Sequence, residues 1–130
     1  MGSITKITRG WYEAKSLSKK SAEVFIFGEI ASNEFNGVTA KTFTEDVKAL
    51  GDIKNLTVKI NSPGGSVTEG LAILTFLHEL QDSGIVLTTK IMGVAASMAS
   101  AIFMAGDVRI MPLDTILMIH RPTAGQQGDF

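Results

Sequence analysis

Residues 55–80 read NLTVKINSPGGSVTEGLAILTFLHEL, and this stretch decides the fold. Its first six residues alternate between apolar and polar side chains, as in a β-strand with one buried face. A loop over 61–65 follows, because Pro and adjacent Gly residues mark turns. Ser66 is a plausible N-cap for a helix that runs to about residue 82. The predicted apolar stripe of this helix is Val67, Leu71, Leu74, Leu77 and Leu80.

The same alternation continues on both sides of this stretch. Strands are predicted at 22–30, 85–92, 107–111 and 115–119, and residues 4–15 predict an edge strand. Helices are predicted at 40–50, between an N-cap at Thr39 and Gly51, and from near Ser97 to near Gly106. Repeated strands and helices predict an α/β fold with a largely parallel sheet flanked by helices. Residues 1–130 are expected to form one domain, because no linker or repeat divides them.

Composition excludes several classes of function. The net charge is −1, and no basic excess predicts nucleic-acid binding. The absence of Cys excludes disulfides and thiol catalysis, and two His residues with few clustered carboxylates predict no metal site. No cofactor is expected either. No apolar run approaches the roughly 20 residues of a membrane span, and the N-terminus lacks the pattern of a signal peptide.

The loop SPGG at 62–65 is the first segment that suggests chemistry. Adjacent glycines at Gly64 and Gly65 permit positive φ and leave backbone N–H groups unshielded. Such groups can donate to a negative ligand or to a developing oxyanion. The alternative is a tight turn between strand and helix with no chemical role, which is the commoner meaning of Gly-Gly.

The second such segment is GVAASMASA at 93–101, which is rich in small side chains. It predicts a helix start that packs closely against its neighbours, with Ser97 in the first turn. There the hydroxyl lies near free N–H groups and the positive end of the helix dipole, which favours negative charge. The alternative is that Ser97 merely caps the helix or fills a tight contact.

The two histidines differ in their settings. His120 ends the apolar run ILMIH at 116–120, and an imidazole at the end of a strand can act as a base near neutral pH. The alternative is a structural histidine. His78 lies inside an amphipathic helix and is interpreted as a surface residue of that helix.

Three motifs in this order, INSPGGSV at 60–67, GVAASMAS at 93–100 and MIHRP at 118–122, resemble the Clp family of ATP-dependent serine protease subunits. The resemblance implies the β/α spiral that this family shares with the crotonases. It implies Ser97 as the nucleophile and His120 as the general base. The backbone N–H groups of Gly65 and Met98 are the implied oxyanion hole, in an acyl-enzyme mechanism on polypeptide substrates.

The resemblance also implies where a substrate binds and how the chain assembles. Family members bind the substrate as an added strand, here flanked by residues 61–67 and 122–128. The implied contact residues are Ser62, Pro63, Gly64, Ser66, Val67, Pro122, Thr123 and Gly125. The family forms rings of seven subunits, so a homo-oligomer is implied.

Three further segments resemble one branch of the family more specifically. They are TRGWYEAKS at 8–16, GEI at 28–30 and GVTAKTF at 37–43, and they are similar to the phage and prophage head maturation proteases. This branch implies capsid or scaffold proteins as substrates. The implied location is the cytoplasm of a bacterial host or the interior of a procapsid.

The sequence departs from the family at the third member of the triad. The family has an Asp well downstream of the His, beyond a long helix, whereas this sequence stops at Phe130. Asp107, Asp114 and Asp129 are poor substitutes; Asp114, for example, is separated from His120 by about 20 Å of extended chain. Because loss of that Asp costs about 10⁴-fold in kcat in a well-studied serine protease, this chain alone is expected to be weak or inactive.

Three other functions compete with a protease. The first is a non-catalytic, ring-forming assembly module that keeps the fold and the interfaces. The second is a crotonase-like acyl-CoA enzyme, against which the pairing of AASM with MIHRP argues. The third is a membrane-associated signal-peptide peptidase of the Ser/Lys type, which would have Lys in place of His120 as its base.

Overall fold

A computed structural model describes residues 20–119, together with the backbones of two short strands at 6–8 and 13–16. The strands of this part of the chain are β1 (Lys6–Thr8), β2 (Glu13–Ser16), β3 (Ser21–Phe27), β4 (Asn55–Ser62), β5 (Val86–Ala96), β6 (Val108–Ile110) and β7 (Ile116–Met118). The helices are α1 (Ala40–Ala49), α2 (Val67–Asp82) and α3 (Met98–Met104).

These strands form a single sheet in the order β1-β2-β3-β4-β5-β6. β3, β4 and β5 are parallel neighbours, whereas β1 and β2 extend the sheet as an antiparallel pair. β6 and β7 both run parallel to β5, β6 beside residues 88–90 and β7 beside residues 94–96. The predicted α/β fold with a largely parallel sheet is confirmed, although the region predicted as one edge strand contains two strands.

One face of the sheet carries the core. In β3 and β4, and in β5 as far as Ile91, every second side chain is buried, which matches the two-residue period of a strand. The helices cover this face, with Phe43 of α1, Ile73 of α2 and Ile102 of α3 in the same apolar cluster. Because β3, β4 and β5 run parallel, their carboxyl ends lie at the same edge of the sheet. The loops to α2 and α3 begin at this edge.

Both predicted N-caps are confirmed. The Thr39 hydroxyl accepts the N–H of Thr42 at 3.2 Å at the start of α1, and the Ser66 hydroxyl accepts the N–H of Glu69 at 3.2 Å at the start of α2. Each bond satisfies one of the N–H groups that a helix leaves unpaired in its first turn. Glu69 also accepts the Ala40 N–H at 2.9 Å, which ties the first turns of the two helices together.

The predicted apolar stripe of α2 is wrong at its N-terminal end. Val67 and Leu71 are 48% and 51% exposed, whereas the buried residues are Gly70, Ile73, Phe76 and Leu77. The cause is the close approach of α3 at Gly70: a Cβ atom added there would lie 2.0 Å from the Cγ of Met98. The contact face of this helix is thus set by a small residue that no hydrophobicity pattern identifies.

β5 is longer than predicted and continues through Gly93 to Ala96. The register between β4 and β5 shifts between Ile60 and Ser62, so that a bulge forms opposite Asn61. The Asn61 Oδ1 accepts the N–H of Val94 at 3.2 Å, and a Cβ atom added at Gly93 would lie 2.6 Å from this oxygen. The glycine therefore allows the amide of Asn61 to bridge the bulge, and the strand continues beyond it.

Within residues 20–119, no group of three or more His, Asp or Glu side chains is arranged to hold a metal ion. None of the helices in this described range combines the length and the apolar character needed to cross a membrane.

Candidate active site

Ser97 occupies a sharp corner between β5 and α3. Its φ is 55° and its ψ is −125°. Among the non-glycine residues that the structure describes, Ser97 alone has a positive φ. The Ser97 N–H donates to the Met118 carbonyl of β7 at 3.0 Å, and the Ser97 carbonyl accepts the Ser100 N–H at 2.9 Å. Such a conformation is costly for a residue with a side chain and persists only where the surroundings hold it, as these two bonds do.

The Ser97 side chain does not cap α3. It occupies the N-cap position but forms no capping hydrogen bond, and the residue is only partly buried. The alternative in which Ser97 serves as a helix cap is therefore wrong. The hydroxyl at this corner remains available for chemistry.

The SPGG loop is hydrogen-bonded to Ile30. The Gly64 carbonyl accepts the Ile30 N–H at 2.8 Å, and the Ser66 N–H donates to the Ile30 carbonyl at 2.8 Å. The Ser62 hydroxyl accepts the Gly64 N–H at 3.1 Å. Gly64 and Gly65 have φ values of 98° and 141°, which glycine adopts readily. The loop thus makes one isolated parallel β-bridge, between Gly65 and Ile30.

The SPGG loop and the Ser97 corner are in direct contact at Gly64. A Cβ atom added at Gly64 would lie 2.7 Å from the Ala96 carbonyl oxygen and 2.8 Å from the Ser97 Cβ. It would also lie 3.1 Å from the backbone nitrogen of Met98. Only glycine fits here, and the two segments that the sequence singled out pack against each other.

Two backbone N–H groups at this site have no acceptor within the described residues. The loop pairs with Ile30 through the carbonyl of Gly64 and the N–H of Ser66, which leaves the N–H of the exposed Gly65 unused. The Met98 N–H begins α3, and the first N–H groups of a helix have no partner inside the helix. Two unused donors, one in the SPGG loop and one at the start of α3, suit a developing negative charge. The oxyanion-hole role of Gly65 and Met98 stays a prediction.

β7 pairs with the end of β5 that leads into Ser97, and His120 follows β7 in the sequence. Met118 pairs with Ala96 across the parallel strands, and its carbonyl accepts the Ser97 N–H. His120 itself lies outside the described residues, as do Pro122, Thr123, Gly125 and Asp129. In the sequence, His120 follows Met118 by two residues, which an extended chain spans in about 7 Å. The pairing of Ser97 with His120 stays a prediction.

Neither Asp107 nor Asp114 reaches this site, whereas the Glu29 side chain lies beside Gly65, with its Cγ 3.0 Å from the position of an added Cβ. Asp107 accepts the Leu87 N–H at 2.9 Å and the Gln81 side-chain N–H at 3.1 Å, so it lies beside the start of β5, roughly 30 Å of strand from Ser97. Asp114 is exposed and precedes Met118 by four residues, or about 13 Å of strand. Because His120 lies outside the described residues, the expectation that neither residue orients it stays a prediction.

The residues assigned to substrate contact divide into two groups. Ser62 and Gly64 are buried and shape the loop, and the Ser66 hydroxyl caps α2. Pro63 and Val67 are exposed beside Gly65 and are the described side chains that a bound strand can touch. Substrate contact by any of these residues stays a prediction.

A separate cleft of about 410 Å³ opens at the first turns of α1 and α2. Its lining residues are Ser32, Asn33, Glu34, Thr39, Lys41, Thr42, Glu45 and Glu69. None of these belongs to the Ser97 corner or to the SPGG loop, and the cleft is not part of the candidate site.

Comparisons with known proteins agree with the motif resemblance. The family model described as Clp protease matches residues 7–130. An ATP-dependent Clp protease proteolytic subunit of Ligilactobacillus salivarius is 34% identical over 119 residues, which cover 90% of this chain and 58% of that protein. A protein of the same description from Ostreococcus tauri is 38% identical over 99 residues, which cover 75% of this chain and 46% of that protein. The chain thus spans about half the length of the curated relatives it matches.

Proposed function

This chain belongs to the Clp protease family, and from that premise we propose that it provides the nucleophile and the oxyanion hole of a serine endopeptidase. The proposed substrate is a polypeptide bound as an added strand beside the SPGG loop. The proposed assembly is a homo-oligomeric ring.

In the proposed reaction, Ser97 Oγ attacks the carbonyl carbon of a peptide bond while His120 accepts the hydroxyl proton. The carbonyl oxygen becomes an oxyanion and accepts hydrogen bonds from the N–H groups of Gly65 and Met98. Collapse of this intermediate breaks the C–N bond, and the proton on His120 passes to the leaving amine. Water then hydrolyses the acyl-enzyme by the same steps in reverse order.

The observation that carries this proposal is the packing of Gly64 against the Ser97 corner. A structural turn needs no contact between a glycine loop and a serine with positive φ. An oxyanion hole needs such a contact, because its two donors come from different segments of the chain and must both reach one oxygen. The non-capping hydroxyl of Ser97 and the two unused N–H groups support the same interpretation.

The test is covalent labelling with a fluorophosphonate, read by intact mass. Ser97 Oγ forms the bond to phosphorus, the phosphorus–fluorine bond breaks, and fluoride leaves while the base takes the proton. One label per chain is expected, and none on a Ser97→Ala variant. If folded protein stays unlabelled, or if the variant labels as well as the parent, the proposal is wrong for this chain.

We also propose that the chain belongs to the phage and prophage head maturation branch, with capsid or scaffold proteins as substrates in a bacterial cytoplasm or procapsid. The segments at 8–16, 28–30 and 37–43 support this branch. The test compares cleavage of a phage scaffold protein with cleavage of casein, both without an ATPase. Preference for the scaffold protein is expected, and equal or preferential cleavage of casein would contradict the branch assignment.

A ring-forming assembly module without catalysis remains the second candidate. The apolar surface of the β6–β7 region favours it, since Ile110, Leu113, Ile116, Met118 and Ile119 are exposed in a region that a second subunit can cover. Light scattering beside the labelling experiment separates the two functions. Oligomers without a label on Ser97 favour the assembly module, and labelled oligomers favour the protease.

A further inference from the structure

Ser100 makes two hydrogen bonds to the same acceptor. It lies in the first turn of α3 and is 5% exposed. Its backbone N–H donates to the Ser97 carbonyl at 2.9 Å, and its hydroxyl donates to that carbonyl as well. A carbonyl oxygen has two lone pairs, so both bonds can form at once. The Ser97 carbonyl is therefore fixed in direction by the two donors of one residue.

The direction of this carbonyl sets the direction of a second group. The Ser97 carbonyl and the Met98 N–H belong to one peptide unit, which is planar and trans, so the two point in opposite directions. The Met98 nitrogen would lie 3.1 Å from a Cβ atom at Gly64, and the glycine leaves that space free. Rotation of the peptide plane would move the Met98 N–H away from the loop that holds the other unused donor, Gly65.

We infer that Ser100 is a positioning residue, whose hydroxyl holds the Ser97–Met98 peptide plane so that the Met98 N–H stays directed at the oxyanion. This inference rests on the proposed function, because Met98 is a donor only in that reaction. Ser97 adopts a conformation that relaxes unless its surroundings fix it, and its N–H is already held by Met118 of β7. With alanine at position 100, only the backbone N–H of that residue would donate to the Ser97 carbonyl. The Ser100 hydroxyl adds a second hydrogen bond to the same carbonyl.

A purely structural role is the competing explanation. Buried serines in helices often return their hydroxyl to a carbonyl one turn earlier, which satisfies the hydroxyl and nothing more. The two roles differ in what a mutation changes. A structural role affects stability alone, whereas a positioning role affects the rate at which Ser97 reacts.

The experiment compares Ser100→Ala with the matched control Thr89→Val. The Thr89 hydroxyl is buried and donates to the Phe103 carbonyl at 2.6 Å, at the other end of α3. Each variant removes one buried hydroxyl-to-carbonyl bond of the same helix, so similar losses of stability are expected. Ser100→Thr keeps the hydroxyl and serves as the rescue variant.

The first readout is the rate constant of fluorophosphonate labelling, with kcat and KM on a peptide ester. Removing a whole oxyanion donor costs about 10²–10³-fold, so loosening one is expected to cost about tenfold, in kcat and not in KM. Thr89→Val is expected to label at the parental rate, and Ser100→Thr to recover most of it. Equal rates for Ser100→Ala and Thr89→Val, each folded, would overturn the inference.

The second readout does not need activity. In a two-dimensional ¹H–¹⁵N spectrum, the Met98 amide of Ser100→Ala is expected to broaden because its peptide plane exchanges between orientations. The same amide should stay sharp in Thr89→Val. If the parent protein does not label, the proposed function fails for this chain, and the Met98 line width alone decides the positioning inference. A sharp Met98 amide in Ser100→Ala would reject it.

Discussion

Substitution of Gly64 by alanine tests the contact on which the candidate site depends. Gly64 and Gly84 have almost the same positive φ, 98° and 99°. An added Cβ at Gly84 meets nothing within 4 Å, whereas at Gly64 it meets the Ala96 oxygen at 2.7 Å and the Ser97 Cβ at 2.8 Å. Gly84→Ala is therefore a control that introduces the backbone strain without the steric contact.

The two variants separate two costs. Positive φ at a residue with a Cβ costs about 1–2 kcal/mol, and both variants bear it. Overpacking costs about 1–3 kcal/mol more and applies to Gly64→Ala alone. In a domain of this size, each kcal/mol lowers Tm by roughly 3–5 °C. Gly64→Ala is thus expected to melt about 3–15 °C below Gly84→Ala.

The assay is thermal unfolding followed by circular dichroism, with Ser97 labelling measured well below both Tm values. Gly64→Ala is expected to relieve the clash by moving the Ser97 corner, because the atoms it meets belong to that corner. Labelling should fall at least tenfold in Gly64→Ala and stay at the parental rate in Gly84→Ala. Equal melting temperatures and equal labelling for the two variants would refute the packing described at Gly64.

Three further substitutions have expected outcomes. Ser97→Gly relieves about 1–3 kcal/mol of backbone strain, whereas the added chain entropy of glycine costs about 0.5–1 kcal/mol. Urea titration should therefore find Ser97→Gly more stable than Ser97→Ala. The reverse order would contradict the strain at this corner. Asp107→Ala leaves the Leu87 N–H without its acceptor and should lower the free energy of unfolding by about 1–2 kcal/mol. Ser97 labelling should be unchanged. A loss of labelling in folded protein would mean that Asp107 acts on the site. Glu69→Ala leaves the Ala40 N–H unpaired and should lower the free energy of unfolding by about 1 kcal/mol. Glu69→Gln keeps an acceptor for this N–H and should lose less than half of that. Equal losses in the two variants would argue against this bond.

The order of elements and the helix starts could be predicted from the sequence, because they depend on local chemistry. The hydroxyls of Thr39 and Ser66 cap their helices within three residues of themselves, and alternation in β4 reports a single buried face. The close approach at the SPGG loop and at Ser97 could be predicted for a similar reason, since small residues are unusual enough to mark close approaches.

Features that depend on distant parts of the chain could not be predicted. The extension of β5 past Gly93 needs the amide of Asn61 from β4, and the buried face of α2 needs the side chain of Met98 against Gly70. The positive φ of Ser97 follows from the pairing of β5 with β7 and the contact with Gly64. Ser100 was missed altogether, since a serine three residues after another has no distinctive pattern.

One edge of β5 is divided between two partners, β6 and β7, and this division has a consequence for how the protein opens. Residues 88–90 pair with β6, whereas residues 94–96, which lead into Ser97, pair with β7 through only three residue pairs. Short, exposed strands of this kind detach at a lower free energy than the central sheet does. Native-state hydrogen exchange should therefore find two cooperative units, with the amides of β7 and of Ser97 exchanging together and ahead of those in β3 and β4. Reactivity at Ser97 would then be lost by a subglobal opening, in molecules whose core remains folded.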